Sequence, residues 1–107
     1  MAEPLLAEGE LWIGEMRAVV HRGVPLLLVR HEHGVSAYRD RCPHQGYPLS
    51  QGELKDGVLT CGLHGHKFDA ASGDGVNPRR PCLAGFSCWV EAGQIFVELP
   101  EQKRSLP

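Results

Sequence analysis

No stretch of this 107-residue chain approaches the roughly 20 apolar residues that a membrane-crossing helix needs. The longest apolar run, Val24 to Val29, has the length of a strand. Nor is there a run of Lys and Arg: 11 basic residues stand against 13 acidic ones, for a formal charge of −2. That balance excludes the basic face of a nucleic-acid binder. No 11-residue window keeps a clean helical period. Repeats, low-complexity tracts and linkers are absent, so a single domain over residues 1–107 is expected. The opening MAEPLLAEGELW has neither the basic start nor the apolar core of a secretory signal, which predicts a cytoplasmic protein.

What the chain does have is punctuation. Its 13 Gly and 8 Pro favour turns and short strands over helices. Met16 to His21 and Val24 to His31 read as strands around a turn at Arg22-Gly23, and Val35 to Asp40 adds a third. The unbroken Leu26 to Val29 run predicts a strand covered on both faces. Further on, Phe86, Cys88 and Val90 alternate with polar or aromatic neighbours. Ile95, Val97 and Leu99 do the same after Ala92-Gly93, which predicts a second hairpin. Met1 to Glu8 and Glu101 to Pro107 look loosely tied. Between Arg41 and Gly85 strand patterning is weak except at Val58 to Thr60 and Lys67 to Asp69. A long irregular segment inside a compact all-β domain usually carries function.

That segment holds Cys42-Pro43-His44 and Cys61-Gly62-Leu63-His64, with 16 residues between His44 and Cys61. Each pair joins a thiol to an imidazole at a spacing short enough to hold one loop against a metal centre. The bland alternative is two buried thiols and two unrelated histidines. Another competitor is a structural zinc site, and with it a zinc-stabilised interaction module. Zinc fingers, however, more often pair Cys with Cys and His with His. One Cys and one His from each half suit a centre with two unlike metal positions, one iron taking both thiolates and the other both imidazoles.

The strings CPHQGYPLSQGEL and CGLHGHKFD resemble the two cluster loops of Rieske 2Fe–2S proteins. ELWIGEM, GVSAYRDRCPHQ, GVNP and IFVELP resemble, more narrowly, the Rieske ferredoxins of bacterial toluene-type multicomponent monooxygenases. Gly65 and His66 instead follow the general HGxxFD form of the wider family. The resemblance implies an all-β Rieske fold: an antiparallel β-sandwich base with an inserted cluster-binding subdomain of two loops, about residues 41–84. It also implies one Rieske-type 2Fe–2S cluster, with Cys42 and Cys61 on the inner iron and His44 and His64 on the outer, solvent-facing one. Respiratory Rieske proteins resemble CTHLGC and CPCHGSxY. Their extra cysteine pair, a disulfide, is replaced here by Tyr47 and Leu63, in keeping with a reducing compartment. His66 and Phe68 stand where those proteins have Ser and Tyr donors, and Phe68 cannot donate. A reduction potential nearer about −150 mV than about +300 mV is therefore expected.

The function implied is electron carriage and not catalysis, because no second set of carboxylate and His ligands is present and the length leaves no room for an oxygenase domain. The implied donor is an NADH-dependent flavin reductase. The implied acceptor is a terminal oxygenase, a di-iron aromatic monooxygenase of the kind used in aromatic hydrocarbon catabolism. The alternative is the ferredoxin of a Rieske aromatic-ring dioxygenase. A monomer is expected. Of the remaining residues, Cys88 reads as a buried small hydrophobe, while Cys82 has no partner at metal spacing. Pro78 and Pro81 read either as the loop that covers the cluster or as an ordinary connection, with Arg79 and Arg80 beside them. Trp12 and Trp89 are expected to pack, and His21, His31 and His33 to face solvent.

Overall fold

The computed structural model describes residues 3–42, 48–62, 65–77, 83 and 85–99. In chain order its elements are β1 (Glu3–Ala7), η1 (Glu8–Glu10, a 3-10 turn), β2 (Met16–His21), β3 (Val24–His31) and β4 (Gly34–Arg39). After these come η2 (Leu49–Gln51), β5 (Glu53–Lys55), β6 (Val58–Thr60), β7 (Lys67–Asp69), β8 (Gly75–Asn77), β9 (Gly85–Glu91) and β10 (Gln94–Glu98). All pairings are antiparallel. One sheet has the order β1-β10-β9-β4-β3-β2, and a smaller one β5-β6-β7-β8. Three hairpins turn on two consecutive residues of positive φ: Arg22-Gly23, Asp56-Gly57 and Ala92-Gly93. Such turns match the twist of the strands they join.

In the larger sheet β4 meets β9 only at Ala37–Phe86 and Tyr38–Gly85. Its two halves close over one core, in which Leu26, Leu28 and Ala37 are buried with Ile95, Val97 and Leu11. That is the sandwich base. The opposite face of β3 presents Leu27 and Val29 to the smaller sheet, where they are buried with Tyr38, Leu49, Leu59, Phe68 and Ala70. Leu26 to Val29 are each 0% exposed, as their unbroken apolar run predicts. Burial of each such side chain is worth about 1.5–3 kcal/mol, so this one strand anchors both cores.

Two polar links hold the smaller sheet to the base. The buried Tyr38 hydroxyl donates to Ala70 O at 2.7 Å, a bond worth about 1 kcal/mol net. Ser36 Oγ donates to Ala71 O at 3.0 Å and lies 2.8 Å from His31 Nε2, while His31 Nδ1 accepts the His33 amide at 3.2 Å. Because Nδ1 is an acceptor, the neutral ring carries its proton on Nε2 and donates it to Ser36. His31 is thus half-buried and bonded, not solvent-facing as expected from its place at a strand end.

Other expectations are corrected too. The segment Glu3–Ala7 is not loose, since it pairs with β10 and Leu5 and Leu6 pack against the base core, while Met1, Ala2 and Glu101 to Pro107 lie outside the described residues. A tertiary edge captures this segment, whose own sequence is too short to show alternation. Trp12 does not pack and is 71% exposed. A turn in which Glu15 N bonds Trp12 O, and Trp12 N bonds Glu15 Oε1, swings the indole outward while Leu11 enters the core. Trp89 does pack, stacked on Phe96 with ring centroids 5.7 Å apart. Cys88 is half-buried against the base core. Strands β5 and β8, three residues each, lie in the segment whose patterning is weak.

The His31 link makes a pH prediction. Burial, and then the neighbouring His33, lower the His31 pKa below 6.5, with Asp69 opposing them. A depressed histidine pKa contributes stability at pH above the unfolded value of 6.5 that is lost as pH falls below it. Gln can make the same two hydrogen bonds without titrating. Melting temperature measured across that window is expected to fall less with acidification in His31→Gln than in the parent chain. Equal falls would remove His31 from the account.

Candidate iron–sulfur site

Two loops reach the same end of the smaller sheet. The first leaves β4, and its base is tied by Asp40: the Ser50 amide and hydroxyl donate to the two carboxylate oxygens at 2.7 Å each. The nine residues between Asp40 and Ser50 are closed into a loop by that double bond, with Cys42 near its start and Leu49 near its end. The second loop is the β6–β7 hairpin turn. Cys61 N donates to His66 O at 2.8 Å and Gly65 N donates to Cys61 O at 3.0 Å. Gly65 has φ +72°, a conformation that favours glycine in so tight a turn.

Cys42 and Cys61, about 63–68 Å apart in a fully extended chain, meet in one buried cluster. Each is 1% exposed, and both share that cluster with Leu27, Val29, Leu49, Leu59 and Phe68. Neither forms a disulfide. Gly52 controls how closely the loops approach. A Cβ there would stand 1.9 Å from Thr60 O and 3.1 Å from Gly62 N, immediately beside Cys61. A third segment approaches through Gly73, whose φ is +82° and whose Cβ position lies 2.7 Å from the Tyr38 ring. Gly73 O accepts the Leu83 amide at 2.8 Å, which draws the chain after β8 back to the core.

Of the four residues expected to hold iron, the structure thus brings the two thiols together. His44 and His64 lie outside the described residues, as do Tyr47, Leu63, Pro78, Arg79, Arg80, Pro81 and Cys82. Among the described residues no set of three or more His, Cys, Asp or Glu could hold a metal. His66 is described and half-buried. Two residues that sequence reasoning passed over are Asp40 and Gly52. The Asp40–Ser50 closure has no sequence signature, whereas Gly52 stands within the quoted CPHQGYPLSQGEL string.

The Rieske 2Fe–2S domain model matches residues 2–89. The chain belongs to the Rieske family. Its cofactor is one Rieske-type 2Fe–2S cluster, which removes the zinc alternative. The donors present fit that group: two buried thiols on separate loops facing one apolar cluster. Among known proteins the chain is 40% identical over 92 residues to the ferredoxin component of the alkene monooxygenase system of Xanthobacter autotrophicus. That match covers 85% of this chain and 75% of the relative. It is also 35% identical over 86 residues to a vanillate O-demethylase oxygenase subunit of a Pseudomonas species, of which it spans only 24%. Among solved structures it resembles a chain of the complex of reduced oxygenase and oxidised ferredoxin in carbazole 1,9a-dioxygenase. There the TM-score is 0.81 and the identity 28%, covering 90% of this chain and 91% of that one. The all-β antiparallel fold expected from the sequence is the one observed. No helix among the described residues is long and apolar enough to cross a membrane.

Gly52→Ala is expected to force β5 away from β6, because the clashing atom is backbone and cannot rotate aside. Overpacking of this kind costs about 1–3 kcal/mol. Melting temperature and iron per chain should both fall. Retention of both at parental levels would show that the two loops do not meet as closely as described.

Proposed function

We propose that the chain is a soluble, cytoplasmic, monomeric one-electron carrier, and not a catalyst, within an oxygenase system. The observation that carries this is its likeness, over most of both chains, to a ferredoxin component of a monooxygenase system. Cys42 and Cys61 would hold the inner iron from within the apolar cluster, and His44 and His64 the outer iron. When bound, the cluster supplies a one-electron couple whose two neutral imidazole ligands raise its potential above that of an all-Cys centre. The protein's own contribution is to keep the two thiols dry and the loops fixed. Burial of Cys42 and Cys61 supports the inner position, since hydrogen bonds and solvent exposure around the sulfurs set the remaining tuning.

Upstream, the electron comes from an NADH-dependent flavin reductase. Downstream, it goes to a terminal oxygenase of the monooxygenase type. Likeness to the alkene monooxygenase component favours that class, and the motif strings of the toluene-type ferredoxins favour a di-iron enzyme acting on aromatic hydrocarbons. A second reading, the ferredoxin of an aromatic-ring dioxygenase, draws on the likeness to the carbazole 1,9a-dioxygenase complex. The two readings differ only in partner.

Reconstitution with NADH, a flavin reductase and each oxygenase type separates them. Product formation is expected with a di-iron monooxygenase, at a rate at least about tenfold above that with a Rieske dioxygenase, a difference of about 1.4 kcal/mol in the barrier. The reverse preference would establish the second reading, and failure of the reductase to bleach the protein would overturn both. On the ligand set, His64→Cys should keep some cluster and shift its potential downward, toward all-Cys ligation. An unchanged potential would mean His64 is not a ligand.

A further inference from the structure

A carboxylate stands where the chemistry of the site makes a negative charge unfavourable. Asp40 comes two residues before Cys42, no more than about 7 Å away along the backbone. Reduction adds one negative charge to the centre that Cys42 and Cys61 would hold, and a carboxylate beside it opposes that step. Closing the loop does not require the charge. The Ser50 amide and hydroxyl donate to the two Asp40 oxygens at 2.7 Å each. An Asn side chain offers the amide the same acceptor and can itself donate to the hydroxyl. Loop closure alone thus leaves the carboxylate unexplained.

Asp40 also differs from Glu53 and Glu98, which are exposed at this end. It is half-buried, and both of its oxygens are fixed by hydrogen bonds. Water and salt screen an exposed charge, whereas a fixed, half-buried one is screened much less. Arg39 and Arg41, its neighbours in sequence, are exposed as well, so they weaken its field only as far as that screening allows. Ser50 follows Leu49, which is buried in the same cluster as Cys42. The two hydrogen bonds therefore pin the carboxylate to the packing that holds the thiol.

We propose that Asp40, beyond closing the loop, lowers the reduction potential of the centre ligated through Cys42 by the field of its fixed charge, which makes the reduced protein a stronger electron donor. The inference rests on the electron-carrier reading. The effect is local. Glu32, in the β3–β4 turn, is separated from Asp40 by the six residues of β4, about 20 Å of strand. That is well beyond the screening length of about 8 Å at physiological salt.

The test is a potentiometric titration of the holoprotein with dithionite, followed by visible absorbance at neutral pH and physiological salt. One electron enters the iron–sulfur centre as dithionite is oxidised. Asp40→Asn keeps both contacts to Ser50 and removes the charge. Its potential is expected to rise by about 30 to 59 mV, which is a change of about three- to tenfold in the ratio of reduced to oxidised protein at a fixed poise. Asp40→Ser removes the charge through a different side chain and should rise with it. Glu32→Gln makes the same change in net charge and should leave the potential unmoved. Ser50→Ala keeps the carboxylate and gives up the hydroxyl bond, so it should lose iron to a chelator faster than the parent without any rise in potential. An unmoved or lower potential in Asp40→Asn would overturn the proposal, as would an equal rise in Glu32→Gln or in Ser50→Ala. Loss of iron from both Asp40 variants would confine Asp40 to closing the loop and would equally sink it. A parent protein with no reducible visible band contradicts the carrier reading itself, so the two failures are told apart.

Discussion

Coverage of β3 on both faces is the constraint from which the rest of the structure follows. Leu26 and Leu28 seal the sandwich, while Leu27 and Val29 form the floor on which the smaller sheet sits. That floor has to be capped by apolar groups, and the groups that cap it include Cys42 and Cys61 as well as Leu59 and Phe68. The thiols are therefore held by the same packing that stabilises the domain. A close-packed interior does not yield gradually, so Cys42 and Cys61 are fixed with respect to each other by the packing around them. Asp40, Gly52 and Gly65 then set the shape of each loop locally, by closing its base, by allowing the second strand to approach and by turning the chain.

Much of this was legible in the sequence because the relevant signals are local. The Leu26 to Val29 run announced a doubly covered strand, and Ala92-Gly93 between two alternating segments announced the last hairpin. The cysteine and histidine pairs pointed to a metal centre, and the family match supplies a 2Fe–2S cluster, while of those four residues the two thiols are the described ones. What stayed hidden depends on partners far away in the chain. Glu3–Ala7 became a strand only because β10 offers an edge. Strands β5 and β8 are three residues long, too short to register a period of two. His31 sits at a strand end in sequence, yet Ser36 and, through it, Ala71 draw it into the contact between sheets. Trp12 failed in the opposite direction, since a large indole is ordinarily buried and here a four-residue turn holds it in solvent.

The architecture divides the labour of a carrier. Apolar packing keeps the Cys42 and Cys61 thiols dry, and β4 and β6 deliver both to one end of the smaller sheet. Membership of the Rieske family fixes the cofactor, while the partners are chosen by surfaces that vary around it.

The central claim is that a Rieske cluster sits between these two loops and cycles by one electron. Low-temperature electron paramagnetic resonance of the dithionite-reduced protein, with iron and sulfide assayed on the same sample, tests it most directly. A rhombic signal of low average g value, with about two irons per chain, is the predicted result. A silent sample that holds zinc and no sulfide would contradict the account.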